Sequence, residues 1–225
     1  MSGKRMVSRR KFVAGSAAAV ASMAAGEAKA AGEPIPAPDY SIPESGFHGK
    51  PESKRNWTTD DRSKKVVFIS HCMLNQNARI ANEADFPAMF EPLLDYLQKK
   101  QVGVIQMTCP ELYCLGLGRR AVRVGLESPS GNARLQRLID DVVFTIREYQ
   151  YQGFEVVGIL GKQGSPACGV TRTWLDEKQQ DGQGVYIREM EKRLAAENLD
   201  IPITGVADFE QDAAIAWLEK RLCGK

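Results

Sequence analysis

No apolar run in this 225-residue chain is long enough to cross a bilayer: Val13 to Ala25 falls short of the roughly 20 residues a spanning helix requires. A membrane span in the mature protein is therefore not expected. Charge of one sign is also missing. Residues 1–30 hold six of the 30 basic residues and one of the 28 acidic ones, so the remainder carries 24 bases against 27 acids, a net of −3. Nucleic acid usually demands a basic stripe or patch, and this balance offers none. There is no internal repeat, which excludes a repeat architecture. The five cysteines include no closely spaced pair of the kind structural zinc favours, since four residues separate Cys109 from Cys114. Their odd number leaves any disulfide framework incomplete.

The chain's start reads as a targeting signal. Ser8-Arg9-Arg10-Lys11-Phe12 precedes the small-residue run Val13 to Ala25, and Ala28-Lys29-Ala30 follows. This order resembles a twin-arginine export signal cleaved after about Ala30, which predicts a periplasmic or exported protein and the twin-arginine machinery as a partner. Residues 31–61 contain five prolines and no apolar period, as an extended linker does. His48 falls in this linker and is read as a solvated loop residue.

From Lys64 onward, short β-branched runs alternate with longer helical patterns. The strands expected are 66–70, 102–107, 154–160 and a weaker 201–206. The helices expected are 87–100, 131–152, 185–197 and 210–222. Such alternation predicts one α/β domain over 62–225, a three-layer open sandwich with a mostly parallel, Rossmann-like sheet. Strand order is not fixed by this pattern.

In an open parallel sheet, ligands sit beyond the carboxyl ends of the strands. Cys72 follows the first expected strand, Cys109 the second, and Cys168 the third after a glycine-rich loop. Three thiols thus emerge at one edge. Disulfides, a zinc site and an iron-sulfur cluster all remain open on spacing alone, although three thiolates on a cluster would leave one iron free.

The residues around the cysteines are more specific. SHCMLNQN (70–77), CPELYCLGLGRR (109–120) and GSPACG (164–169) together resemble the 2-thiouracil desulfurase family, formerly a family of unknown function. His71, Met73 and Asn75-Gln76-Asn77 are similar to a divergent desulfidase subgroup of it. The resemblance implies a 4Fe-4S cluster held by Cys72, Cys109 and Cys168, with the open iron taking sulfur from a small thiolated substrate. It also implies catalytic roles for Glu111, matching the glutamate of C-P-E, and for Ser165, matching the first serine of the family's S-P-S-C-G loop. The family's second serine is replaced here by Ala167.

Read from the residues themselves, Gly164, Pro166 and Gly169 let a loop wrap tightly, or form an ordinary turn. Glu111 is placed to shuttle a proton, or is simply an acid at a helix start. His71, Asn75, Asn77 and Arg119 are the candidate substrate-binding residues. Their plainer readings are a structural histidine, caps of the following segment, and a solvated Arg119-Arg120 pair. Trp174 walls the site or packs in the core. Cys114 is an alternative ligand to Cys109, and Cys223 is incidental. The export signal suits a cluster, because iron and sulfide are supplied where thiols stay reduced, so the protein would fold before leaving. The expected activity is desulfuration of a thiocarbonyl compound, and the alternative is a non-catalytic iron-sulfur electron carrier or ligand-binding protein.

Overall fold

The computed structural model of the chain describes residues 60–120 and 122–223. The export signal expected over 1–30, His48 and nearly all of the linker expected over 31–61 lie outside them. In chain order the described elements are β1 (Lys65–Ser70), α1 (His71–Leu74), α2 (Glu91–Lys99), β2 (Gly103–Met107), α3 (Pro110–Leu115), α4 (Val122–Glu127), α5 (Pro129–Tyr151), β3 (Glu155–Lys162), β4 (Arg172–Leu175), β5 (Lys178–Asp181), α6 (Val185–Ala196), β6 (Ile203–Val206) and α7 (Gln211–Cys223).

Strands β2-β1-β3-β6, in that spatial order, form one sheet in which every neighbouring pair is parallel. Its strands are apolar because both faces are covered. Alternate residues of β1 point to opposite layers. Val67 and Ile69 pack with Leu93 and Leu97 of α2 and with Ala214 and Leu218 of α7. Phe68 packs instead with Leu135, Ile139 and Ile146 of α5 and with Val185 and Met190 of α6. The three-layer α/β sandwich expected from the alternating pattern is therefore the observed architecture.

Local chemistry sets the helix ends. Ser128 caps α5, its hydroxyl accepting from the Gly131 N–H at 3.1 Å, and Pro129 occupies the first turn, where a missing N–H removes no helix bond. Along α5, Leu135, Leu138, Ile139, Val142, Val143 and Ile146 recur every three or four residues and are all buried. The helix expected from residue 87 starts instead at Glu91, with Pro92 in its first turn. Not anticipated were the short helices α1, α3 and α4 and the antiparallel β4–β5 hairpin, which stands outside the main sheet. The hairpin matters for function because it follows directly on the Cys168 loop.

Candidate functional site

All four parallel strands end at one cleft of about 900 Å³. Ser70 and Lys162, the last residues of β1 and β3, line it, as do Cys109 and Ala207 just beyond β2 and β6. This is where a parallel sheet opens a crevice between diverging loops.

Cys72, Cys109 and Cys168 all line the cleft, whereas Cys114 and Cys223 do not. Cys72 sits in the single turn of α1. Cys109 caps α3, with its Sγ accepting from the Leu112 N–H at 3.4 Å. Cys168 is buried at the end of the loop that leaves β3. The three thiols act on one another through a dry environment. Burial pushes Cys72 up to about 12, and Cys109 adds to the rise while Lys162 and Arg79 oppose it. Burial also raises Cys168 well above the ordinary thiol range, reinforced by Cys109 and Cys72. Cys109 is raised by burial as well, with the Leu112 N–H opposing. Thiols this reluctant to ionise alone become thiolates when a metal binds them.

All five cysteines are free thiols. Among the described residues, no three His, Cys, Asp or Glu side chains stand close enough to hold a single metal ion. Three soft donors that line one cleft are the ligand type that either zinc or an iron-sulfur group takes. Cys114 lies further along α3 and packs against the α5–α6 core, so Cys109 is the cleft-facing residue of the two.

Glu111 and Ser165 meet in this cleft although 54 residues separate them: the Ser165 hydroxyl donates to Glu111 Oε1 at 2.9 Å. The same hydroxyl oxygen accepts from the Ala167 and Cys168 N–H groups at 3.1 and 2.9 Å. Its lone pairs are thus taken by the backbone, and its proton is directed at the carboxylate. Glu111 Oε2 is gripped by Arg119 Nε at 3.0 Å. Arg119 is not solvated, since only 4% of its side chain is exposed. Its remaining donors reach the carbonyl oxygens of Ala78, at 2.8 Å, and Leu117. Its guanidinium is committed to Glu111 and to the two loops it joins, and the residue also lines the cleft where a substrate-binding role was expected for it. Arg120 beside it is exposed and lines the cleft.

The Cys168 loop is tight for a definable reason. Gly164 has φ of +77°, and a Cβ on Gly169 would strike the carbonyl oxygen of Arg172. Gln163 closes the loop, its side-chain oxygen accepting from the N–H groups of Val170, Thr171 and Arg172 at 3.1, 3.1 and 3.3 Å. Ala167 is fully buried in the α5–α6 core and does not line the cleft. A hydroxyl at that position would face the core, so Ser165 is the loop's hydroxyl at the site.

His71 lines the cleft beside Cys72, half buried, and burial lowers its pKa. Asn75 and Asn77 correct the expectation of substrate contact. Both are exposed and outside the cleft lining, and the Asn75 side chain accepts from the Asn77 backbone and amide N–H groups at 3.1 Å each. They form the cap of the short turn 76–78. Trp174, carried on β4, lines the cleft and is 49% exposed, so it walls the site rather than filling the core.

The chain is similar to a 4Fe-4S-dependent thiouracil desulfidase of known structure. The likeness covers 68% of this chain and 97% of that one, at 20% identity and a TM-score of 0.41. An uncharacterised protein of Methanocaldococcus jannaschii is 22% identical over 152 residues, which make up 67% of this chain and 91% of that protein. No protein-family profile matches the chain.

Sequence reasoning missed a charged network on the Cys72 side of the cleft. Lys162 Nζ pairs with Asp208 Oδ2 at 2.6 Å, and Arg79 Nη1 pairs with Asp208 Oδ1 at 2.8 Å and with Asp85 Oδ2 at 3.0 Å. The signal was present: Lys162 ends the apolar run of β3, and Asp208 falls just after β6. Applying the strand-end rule to charged residues as well as cysteines would have found both.

Proposed function

We propose that the chain is an iron-sulfur-dependent desulfidase of a small thiocarbonyl or thiolated compound. The observation that carries this reading is the convergence of three thiols, one buried and two partly buried, and a hydrogen-bonded serine-glutamate pair on one cleft at the strand ends. The three cysteine-bearing motifs support it, and the chemistry named for the desulfidase of known structure is brought to this chain as part of the proposal. Cys72, Cys109 and Cys168 would hold a 4Fe-4S cluster, which when bound supplies a Lewis-acidic iron with an open position for sulfur.

The net reaction exchanges the carbon-sulfur double bond for a carbon-oxygen one: water supplies the oxygen, and its two protons leave with sulfur as hydrogen sulfide. No oxidant or reductant is consumed. Water attacking the carbon must lose a proton, and Glu111 is the carboxylate we assign to take it. Ser165 has both lone pairs engaged by the Ala167 and Cys168 N–H groups, so its hydroxyl serves to orient the Glu111 carboxylate through the bond to Oε1. Arg119 fixes the other carboxylate oxygen, so Glu111 does not rotate away from the serine. Trp174 gives the cleft an apolar wall against which a substrate body can lie. A carrier of electrons needs neither the roomy cleft nor the serine-glutamate pair.

Protein purified without oxygen is expected to be brown and to hold about four irons per chain with matching sulfide. It should release sulfide from a thiocarbonyl compound. Stoichiometric zinc without sulfide, or a cluster that changes redox state but liberates no sulfide, rejects the reading. We further propose that the protein is exported through Arg9 and Arg10. Arg9→Lys with Arg10→Lys should leave the precursor in the cytoplasm, since the paired guanidinium groups carry the signal, and unchanged export of that variant would mean another route.

A further inference from the structure

The polar contacts around the cleft close into a ring. Ser165, on the Cys168 loop, bonds Glu111, on the Cys109 helix; Glu111 pairs with Arg119, and Arg119 reaches the carbonyl oxygen of Ala78 downstream of Cys72. The next residue, Arg79, pairs with Asp208 beyond β6, and Asp208 pairs with Lys162, where the Cys168 loop begins. Every cysteine arm is tied to the next without any contribution from a metal.

The two halves of the ring differ in composition, although the formal charges of each sum to zero. On the Glu111 side one cation meets one carboxylate. On the Lys162 side two cations, Lys162 and Arg79, share Asp208, and Arg79 also meets Asp85. Lys162 is the deeper of the two cations. Its side chain is 7% exposed, its ammonium also donates to the Gln163 carbonyl oxygen at 2.8 Å, and it lies near enough to Cys72 to act on that thiol. A buried ammonium loses hydration that good partners must offset, and Asp208 and the Gln163 carbonyl hold this one in the lining of the same cleft as the three thiols. Three thiolates would place a concentrated negative charge beside it.

We propose that Lys162, held in place by Asp208, is the built-in counter-charge of the three-cysteine site, a positioning residue that sets the electrostatic potential where sulfur is bound. This rests on the cluster reading above. Removing a buried positive charge near an iron-sulfur group disfavours its more negative, reduced state, and removing a negative charge favours it.

The test is a pair of variants in the full chain, loaded with its cluster, with the midpoint potential read by redox titration. Lys162→Met is expected to shift the midpoint to more negative values and Asp208→Asn to more positive ones, with iron content retained in both. Lys162→Arg should restore most of the wild-type value. Loss of packing would move both variants in the same direction, so shifts of equal sign, or no shift with iron intact, overturn the inference. If Lys162→Met does not fold, the sign of the Asp208→Asn shift decides alone. Absence of iron from the wild-type protein removes this inference and the proposed function together, whereas a loaded cluster with unmoved potentials removes only this one.

Discussion

Cys168→Ser is expected to abolish cluster binding, with iron and sulfide lost together from anaerobically purified protein. Serine presents an oxygen of similar size, but a hydroxyl is a far poorer ligand for iron than a thiolate. The loop offers no substitute, since Cys168 is buried where the Ser165 hydroxyl, the Gln163 amide and Gly169 fix the backbone. The same loss is expected for Cys72→Ser and Cys109→Ser. Cys114→Ser and Cys223→Ser should keep a full complement of iron, because Cys114 packs toward the α5–α6 core and Cys223 is exposed at the end of α7. Iron and acid-labile sulfide per chain, measured across all five variants, checks the pattern. Iron surviving in Cys168→Ser but lost from Cys114→Ser would mean that the third ligand lies on the Cys109 helix, and the Cys168 loop would then be a structural turn.

How far the sequence led to this site follows from which interactions are local. The run VVFIS and the run FEVVGIL announce buried parallel strands because both faces of such a sheet are covered, and that apolar pattern lies within each segment. Strand order was not legible, since it depends on how crossovers pack, and β1 pairs with both β2 and β3. The cysteines were found because the fold class places each at a strand end. The Ser165–Glu111 bond spans 54 residues and the Arg79–Asp208 pair 129, so neither could be read from any window of the chain. Arg119 shows the limit most plainly: beside Arg120, two adjacent arginines read as solvated, yet one is buried against Glu111 and the other is exposed. Asn75 and Asn77 follow the plainer of their two readings, as the cap of the following segment rather than residues lining the cleft. The turn of α1 carries Cys72 to the cleft and the following cap turns the asparagines to solvent.

Glu111→Gln and Ser165→Ala are expected to slow sulfide release by about 10² to 10⁴-fold, the usual cost of removing a general acid-base group. They should do so by different physical routes. The amide introduced by Glu111→Gln would fill the same volume and its oxygen could accept from Ser165, but its NH2 would then face the buried Arg119 guanidinium, and it takes up no proton at working pH. Iron content should therefore hold while turnover falls, with some loss of thermal stability from the Arg119 charge left unpaired. Ser165→Ala removes the hydrogen bond that orients Glu111 and also the acceptor for the Ala167 and Cys168 N–H groups. Some loss of stability is expected with the loss of rate, about 1 to 3 kcal/mol for donors left without a partner. Measuring turnover per bound cluster, with melting curves alongside, separates the two effects. If Ser165 only shaped the loop, Ser165→Ala would shed iron while its remaining clusters worked at the wild-type rate, and Glu111→Gln would be nearly silent. A fall in turnover per cluster in both variants, with the double variant little worse than either alone, is the result expected of a hydrogen-bonded pair that acts as one unit.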